Sequence, residues 1–173
     1  LWNGMPTKKA LERGLLVTLE ELETRIKVVE DIEAIKKLRA TYCYLVDAEK
    51  VDELLSHFTE NAKVDFGLFG TYEGREGQRT FFRDVVAVGL SFCMHMVHNP
   101  IIEVKGEKAT GKWYFEVPST MRGTERAIWI AGVYDEEYVK KGGEWKFNFI
   151  KATFYYMTPY EEGWVKTPFM AIG

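Results

Sequence analysis

From Leu22 onward, apolar residues recur at spacings of three and four through Ile26, Val29, Ile32, Ile35, Leu38, Tyr42 and Leu45, with Glu, Lys and Arg between them. That period predicts one amphipathic helix of roughly eight turns. Thr18-Leu19-Glu20-Glu21 ahead of it reads as a capping box, Thr18 as N-cap and Glu21 reaching back. Residues 1–17 are polar and are expected to form a flexible arm. A short second helix is expected over 51–58, with Leu54, Leu55 and Phe58 on its apolar side. Residues 61–65 alternate as a strand, 67–70 turn the chain, and 71–73 pair back. Residues 74–89 carry Phe81, Phe82, Val85, Val86 and Val88 at helical spacing between glycines, which gives a third helix.

After Leu90 the pattern changes to strands. Residues 92–104, 109–118, 126–139 and 145–157 alternate or run apolar, joined by short Gly-containing turns at 105–107 and 140–143. Loops of that length make neighbouring strands antiparallel. Helices followed by an antiparallel meander predict an α+β fold with helices on one face of a curved sheet.

The first of these strands carries two of the three histidines, in Ser91-Phe92-Cys93-Met94-His95-Met96-Val97-His98-Asn99-Pro100. Alternation along a strand puts Cys93, His95, Val97 and Asn99 on one face and Met94, Met96 and His98 on the other. An imidazole held in an apolar interior is a candidate proton-transfer group; a histidine merely hydrogen-bonded in the core is the plainer alternative. His95 and His98 point opposite ways on a strand, so no metal pair is expected. His57 falls in a short surface helix and is expected to be solvated.

The chain of 173 residues is one domain by length, and its charge is balanced at net −3. No basic patch suggests nucleic acid, and no apolar run is long enough to span a membrane. Cys43 and Cys93 form no metal or redox motif, so a reducing, cytoplasmic setting is expected. Aromatic residues reach 14%, a surplus that suits a cavity lining as well as a core. Gly-rich phosphate loops and nucleophile elbows are absent, which disfavours nucleotide chemistry and serine hydrolysis.

The order of elements, with Asp31-Ile-Glu-Ala-Ile-Lys36, Tyr42-Cys-Tyr-Leu-Val-Asp47, Tyr72-Glu-Gly-Arg75, Met94-His-Met-Val-His-Asn-Pro100, Ala109-Thr-Gly-Lys-Trp-Tyr114 and Gly143-Glu-Trp-Lys146, resembles the SnoaL-like superfamily. This is the nuclear-transport-factor-like, cystatin-like α+β cone that includes scytalone dehydratase, ketosteroid isomerase and the bile-acid 7-alpha-dehydratases. The resemblance implies a cone-shaped half-barrel over 18–163 and a C-terminal tail, 164–173, docked on the barrel or on a partner subunit. Carried over by position, it implies His95, Asp47 and Tyr42 as catalytic residues. Tyr44, three residues from Asp47, shares a helix face with it and competes with Tyr42. Asp47 is alternatively a helix-end residue. Val117, Phe154, Tyr156 and Ile150, with Trp113 and Trp129, are expected to line the substrate site. Val117 and Phe154 stand where the bile-acid enzymes are expected to carry an aspartate and an arginine.

These readings lead to a cofactor-free, metal-free lyase of the dehydratase type. It would act on a hydrophobic cyclic carbonyl compound such as a steroid or polyketide, with His95 as base, Asp47 behind it and a tyrosine as donor. A ketosteroid-isomerase-type activity is the alternative within the enzymes, and a hydrophobic-ligand-binding module is the alternative outside them. The long helix and the apolar tail residues Trp164 and Phe169 point to a homodimer or homotrimer.

Overall fold

The computed structural model describes residues 17–170. Helix α1 (Leu19–Asp47) has the capping box: Glu21 N–H donates to Thr18 Oγ1 at 3.1 Å, and Thr18 N–H donates to Glu21 Oε2 at 2.8 Å. Such a cap contributes about 1 kcal/mol. Only the second half of α1 packs on the sheet, through Ile35, Leu38, Arg39, Tyr42, Cys43, Leu45 and Val46. Asp31, in the middle of α1, accepts from Lys140 Nζ at 2.6 Å and Trp145 Nε1 at 2.8 Å.

Helix α2 (Val51–Ser56) leads directly into β1 (Phe58–Asp65), which starts three residues earlier than the alternation alone indicates. His57, between them, is half-buried rather than solvated; burial and the Lys146 charge both lower its pKa. A short 3₁₀ turn (Gly67–Phe69) and β2 (Thr71–Glu73) follow. Helix α3 (Gly74–Thr80) runs on through a π-helical stretch (Phe81–Val86) into a last α turn (Ala87–Gly89). The wider π turn carries Phe81 and Phe82 into the core and leaves Val85 and Val86 partly buried.

The expected strand over 92–104 is two strands. β3 (Leu90–Cys93) and β4 (Met96–Lys105) are separated at Met94-His95, and both pair with β5 (Lys108–Met121). β6 (Ala127–Lys141) and β7 (Glu144–Pro159) complete a seven-stranded sheet in the order β2-β1-β7-β6-β5-β3, with β4 also on β5. Only the β1–β7 pair is parallel. The architecture is thus α+β, an N-terminal helical layer on a curved, mostly antiparallel half-barrel.

β7 carries two bulges against β6: Asn148 is passed over between Phe147 and Phe149, and Tyr155 between Phe154 and Tyr156. Each extra residue flips the alternation. Phe147, Ile150, Ala152 and Met157 are consequently all among the buried residues of β7, although they do not share one parity. Gly132 on β6 makes the second bulge fit. A Cβ there would press on the Thr153 carbonyl and lie 2.7 Å from the Phe115 ring.

The tail folds back along β7. Met157 N–H donates to Pro168 O and Met170 N–H to Met157 O, each at 2.9 Å. Trp164, in α4 (Gly163–Lys166), stacks on Tyr156 with ring centroids 5.1 Å apart. The expected arm lies almost wholly outside the described residues. No helix among the described residues is long and apolar enough to cross a membrane.

Candidate active site

Asp47 is the last residue of α1, and His95 sits in the break between β3 and β4. The Asp47 carboxylate takes the His95 backbone N–H at 3.0 and 3.2 Å and meets ring Nδ1 at 2.6 Å. A carboxylate only accepts, so Nδ1 carries the hydrogen, and in the neutral imidazole Nε2 is then the nitrogen with the free lone pair. The side chains are 23% and 10% exposed, so the pair is screened from bulk water without being sealed. Asp47 caps no following helix: α2 begins at Val51, and its N-cap position, Lys50, has no side-chain cap.

His95 forms part of the wall of a cavity of about 150 Å³. The rest of that wall is almost wholly apolar: Phe66, Phe69, Phe81, Phe115 and Phe154 supply rings, and Val117, Ile128, Ile130 and Met157 close it. Met170 of the tail also lines it. Among the described residues of the wall, the side chains with an acidic or basic hydrogen-bonding group are His95 and Tyr134.

The sequence profile of the SnoaL-like domain family matches residues 27–151, well over half of the chain. The chain belongs to that family. It is 28% identical over 127 residues to gamma-hexachlorocyclohexane dehydrochlorinase of Sphingobium indicum, covering 73% of this chain and 81% of the relative. Among solved structures it is similar to the LinA-type3 hexachlorocyclohexane dehydrochlorinase of Novosphingobium barchaimii. That match has a TM-score of 0.73 and 26% identity, covering 78% of this chain and 93% of the other. A candidate scytalone dehydratase of Novosphingobium aromaticivorans shares the fold, with a TM-score of 0.72 at 22% identity over 79% and 91% of the two chains.

Within this SnoaL-like cone, the expected site residues separate into two groups. Val117 and Phe154 stand in the cavity wall with His95, so the positions expected to be charged in bile-acid enzymes are apolar here. Tyr42 is buried beside the pair, its ring edge-on to His95 at 6.4 Å and packed on Phe82 and Phe147, but it is not in the wall. Tyr44 is turned to solvent at 78% exposure. Ile150 is fully buried elsewhere in the core, and Trp113 donates from Nε1 to the Tyr138 hydroxyl at 3.0 Å. Tyr156 and Trp129 meet Trp164 and each other, away from the wall; the bulge at Tyr155 turned Tyr156 out of phase. His98 is half exposed, with Nε2 3.6 Å from Glu116.

Two features of the surroundings form no motif in the sequence. Cys93 lies beside the pair: burial first, then the Asp47 charge and a thiol hydrogen bond to it, push its pKa up to about 12. One ligand atom from each of Asp47, Cys93 and His95 lies within 4.8 Å of the others, so these three could hold a metal ion if the Asp47–His95 hydrogen bond opened. The second feature is a buried ion pair. Arg39 Nη1 is 3.2 Å from Glu136 Oε1, both side chains wholly buried. The guanidinium lies between the faces of Tyr42 and Tyr134, 4.2 and 4.0 Å from their centroids. Arg39 falls four residues after Ile35 and three before Tyr42, on the apolar stripe of α1, and that spacing is the signal that its charge turns inward.

Proposed function

We propose that the chain is a cofactor-independent lyase that removes a proton from a carbon of a small hydrophobic ring compound and expels a group from the neighbouring carbon. The observation that carries this is the Asp47–His95 pair, whose imidazole stands in the wall of an otherwise apolar cavity. His95 Nε2 takes the proton, and the C–H electron pair becomes the new double bond through an enolate when a carbonyl adjoins it. The departing hydroxyl takes the proton from the imidazolium and leaves as water. Asp47 fixes the tautomer and stabilises the imidazolium. The Tyr42 ring, edge-on to His95, keeps the imidazole from rotating.

The related Sphingobium indicum protein is a dehydrochlorinase of hexachlorocyclohexane, so its printed activity is also an elimination on a six-membered ring. Dehydration and dehydrochlorination share the proton removal and differ in the leaving group. A cavity near 150 Å³ is the size that accepts a benzene-like molecule, which favours one ring over a steroid. Isomerisation would use the same proton removal but needs a route for returning the proton elsewhere. The apolar residues at Val117 and Phe154 favour the second reading, a hydrophobic-ligand-binding module of the same fold.

The surface apolar residues Leu22, Ile26 and Val29 of α1, with Trp164 and Phe169 of the tail, support a homodimer or homotrimer, which light scattering would count.

The test of the lyase reading is turnover of gamma-hexachlorocyclohexane and of 3-hydroxycyclohexanone by the wild type and by His95→Ala. The expected result is elimination from at least one compound and a loss of roughly 10²–10⁴-fold in the variant. Saturable binding of both without elimination favours the binding module.

A further inference from the structure

A proton taken from carbon leaves negative charge on the substrate, and a site that stabilises that charge needs a donor aimed at it. Tyr42, the donor expected from the sequence, is not in the cavity wall. Tyr134 is, and it is the one phenol among the described residues that line this space. Its ring is held rigidly, with its centroid 4.2 Å from that of Phe115 and 6.2 Å from that of Phe66.

What lies behind Tyr134 is unusual for a core tyrosine. The Arg39 guanidinium sits 4.0 Å from its ring centroid, fully buried, with Nη1 near Glu136 but with no hydrogen bond of good alignment from Nε, Nη1 or Nη2. A cation over an aromatic face draws electron density from the ring. In a phenol this strengthens the O–H as a donor. Glu136 in turn accepts from the Tyr138 hydroxyl, which takes the Trp113 Nε1–H, so the charge behind Tyr134 is anchored through β5 and β6. Burial raises the Tyr134 pKa well above the ordinary phenol value, which keeps the donor protonated across the working range.

We propose that the Tyr134 hydroxyl, backed by the Arg39 guanidinium, is the donor that receives the substrate's acceptor atom, and that the ligand class is a single uncharged ring bearing a carbonyl. This rests on the reading of His95 as the base. The carbonyl oxygen accepts the Tyr134 hydrogen bond, the neighbouring C–H loses its proton to His95 Nε2, and the freed electron pair moves onto that oxygen as the enolate forms. Tyr134 keeps its proton throughout. The uncharged wall disfavours carboxylate or phosphate substrates, because the Arg39 charge is already matched by Glu136 and screened by the ring.

The experiment uses cyclohexanone as the probe, followed by its infrared carbonyl stretch and by its affinity, in the wild type, Tyr134→Phe and His95→Ala. Tyr134→Phe keeps the stack on Phe115 and removes only the hydroxyl. The expected result is a carbonyl band lowered on binding in the wild type and in His95→Ala. In Tyr134→Phe the band returns toward its value in alkane, with affinity weaker by roughly threefold to tenfold. A lowered band that survives in Tyr134→Phe overturns the inference, as does one lost in His95→Ala instead, or a failure of cyclohexanone to bind saturably. Failure of the lyase reading would show elsewhere, as elimination undiminished in His95→Ala, with the carbonyl band still lowered on binding and still dependent on Tyr134.

Discussion

Asp47 holds His95 at two points, accepting from ring Nδ1 at 2.6 Å and from the backbone N–H of the same residue at 3.0 Å. The double contact ties the end of α1 to the break between β3 and β4 and fixes the ring relative to its own main chain. An imidazole so held loses little orientational freedom when a substrate arrives.

Replacing Asp47 with Asn should therefore cost at least about a hundredfold in turnover, because an amide can hold the wrong tautomer and cannot stabilise the imidazolium. The same variant has an independent chemical readout. The Asp47 charge and its hydrogen bond help to hold the Cys93 thiol up at about 12. Their removal should lower that pKa and quicken alkylation of Cys93 by iodoacetamide near pH 8. Equal alkylation rates in the two proteins would contradict the contact.

The bulge at Tyr155 rests on Gly132, where a side chain would collide with the Thr153 carbonyl and the Phe115 ring. Gly132→Ala should destabilise the fold by about 1–3 kcal/mol, the usual cost of overpacking a filled site. Urea unfolding measures it, and an unchanged midpoint would show that the bulge tolerates a Cβ.

That bulge also marks where the sequence could and could not be read. The long helix, its capping box and the helices-then-meander order follow from the sequence pattern, and residues 109–118 of β5 alternate as that pattern indicates. The pairing of Asp47 with His95 was legible only through the family resemblance, because 48 residues separate them. The resemblance puts Tyr156 and Ile150 in the site on the same parity as Phe154; Ile150 keeps that parity but is buried elsewhere in the core, whereas Tyr156 follows a bulge and loses it. Two extra residues, Asn148 and Tyr155, change the phase, and nothing in the local sequence announces either. Tyr134 carries no signal in the sequence that raises it above the other tyrosines, since what distinguishes it is Arg39, brought in from α1.

Asp31 joins α1 to the β6–β7 hairpin. Burial raises its pKa, but the hydrogen bonds from Lys140 and Trp145 and the Lys140 charge outweigh that and leave it lowered. A carboxyl lowered in the folded state stabilises the fold above its unfolded pKa of about 3.9, and that contribution is lost as pH falls through the lower folded value. Asp31→Asn should cost on the order of 1 kcal/mol at pH 7 and progressively less below pH 4. A difference that does not shrink in acid would mean that the carboxylate charge contributes nothing.

Metal chelation distinguishes the two uses open to Asp47, Cys93 and His95. The proton transfer proposed here runs through the Asp47–His95 hydrogen bond, so dialysis against EDTA should leave turnover unchanged. Added Zn²⁺ should inhibit, by drawing the three side chains together as ligands. Activity lost to EDTA and restored by Zn²⁺ would reverse the assignment.

The claim that matters most is that this imidazole takes a proton from carbon. Exchange of the α-hydrogens of cyclohexanone in D₂O, followed by proton NMR, measures that step with no leaving group involved. Exchange accelerated by the wild type and lost in both His95→Ala and Asp47→Asn is the predicted result; a wild-type rate equal to that of buffer, or acceleration that persists without His95, would contradict it.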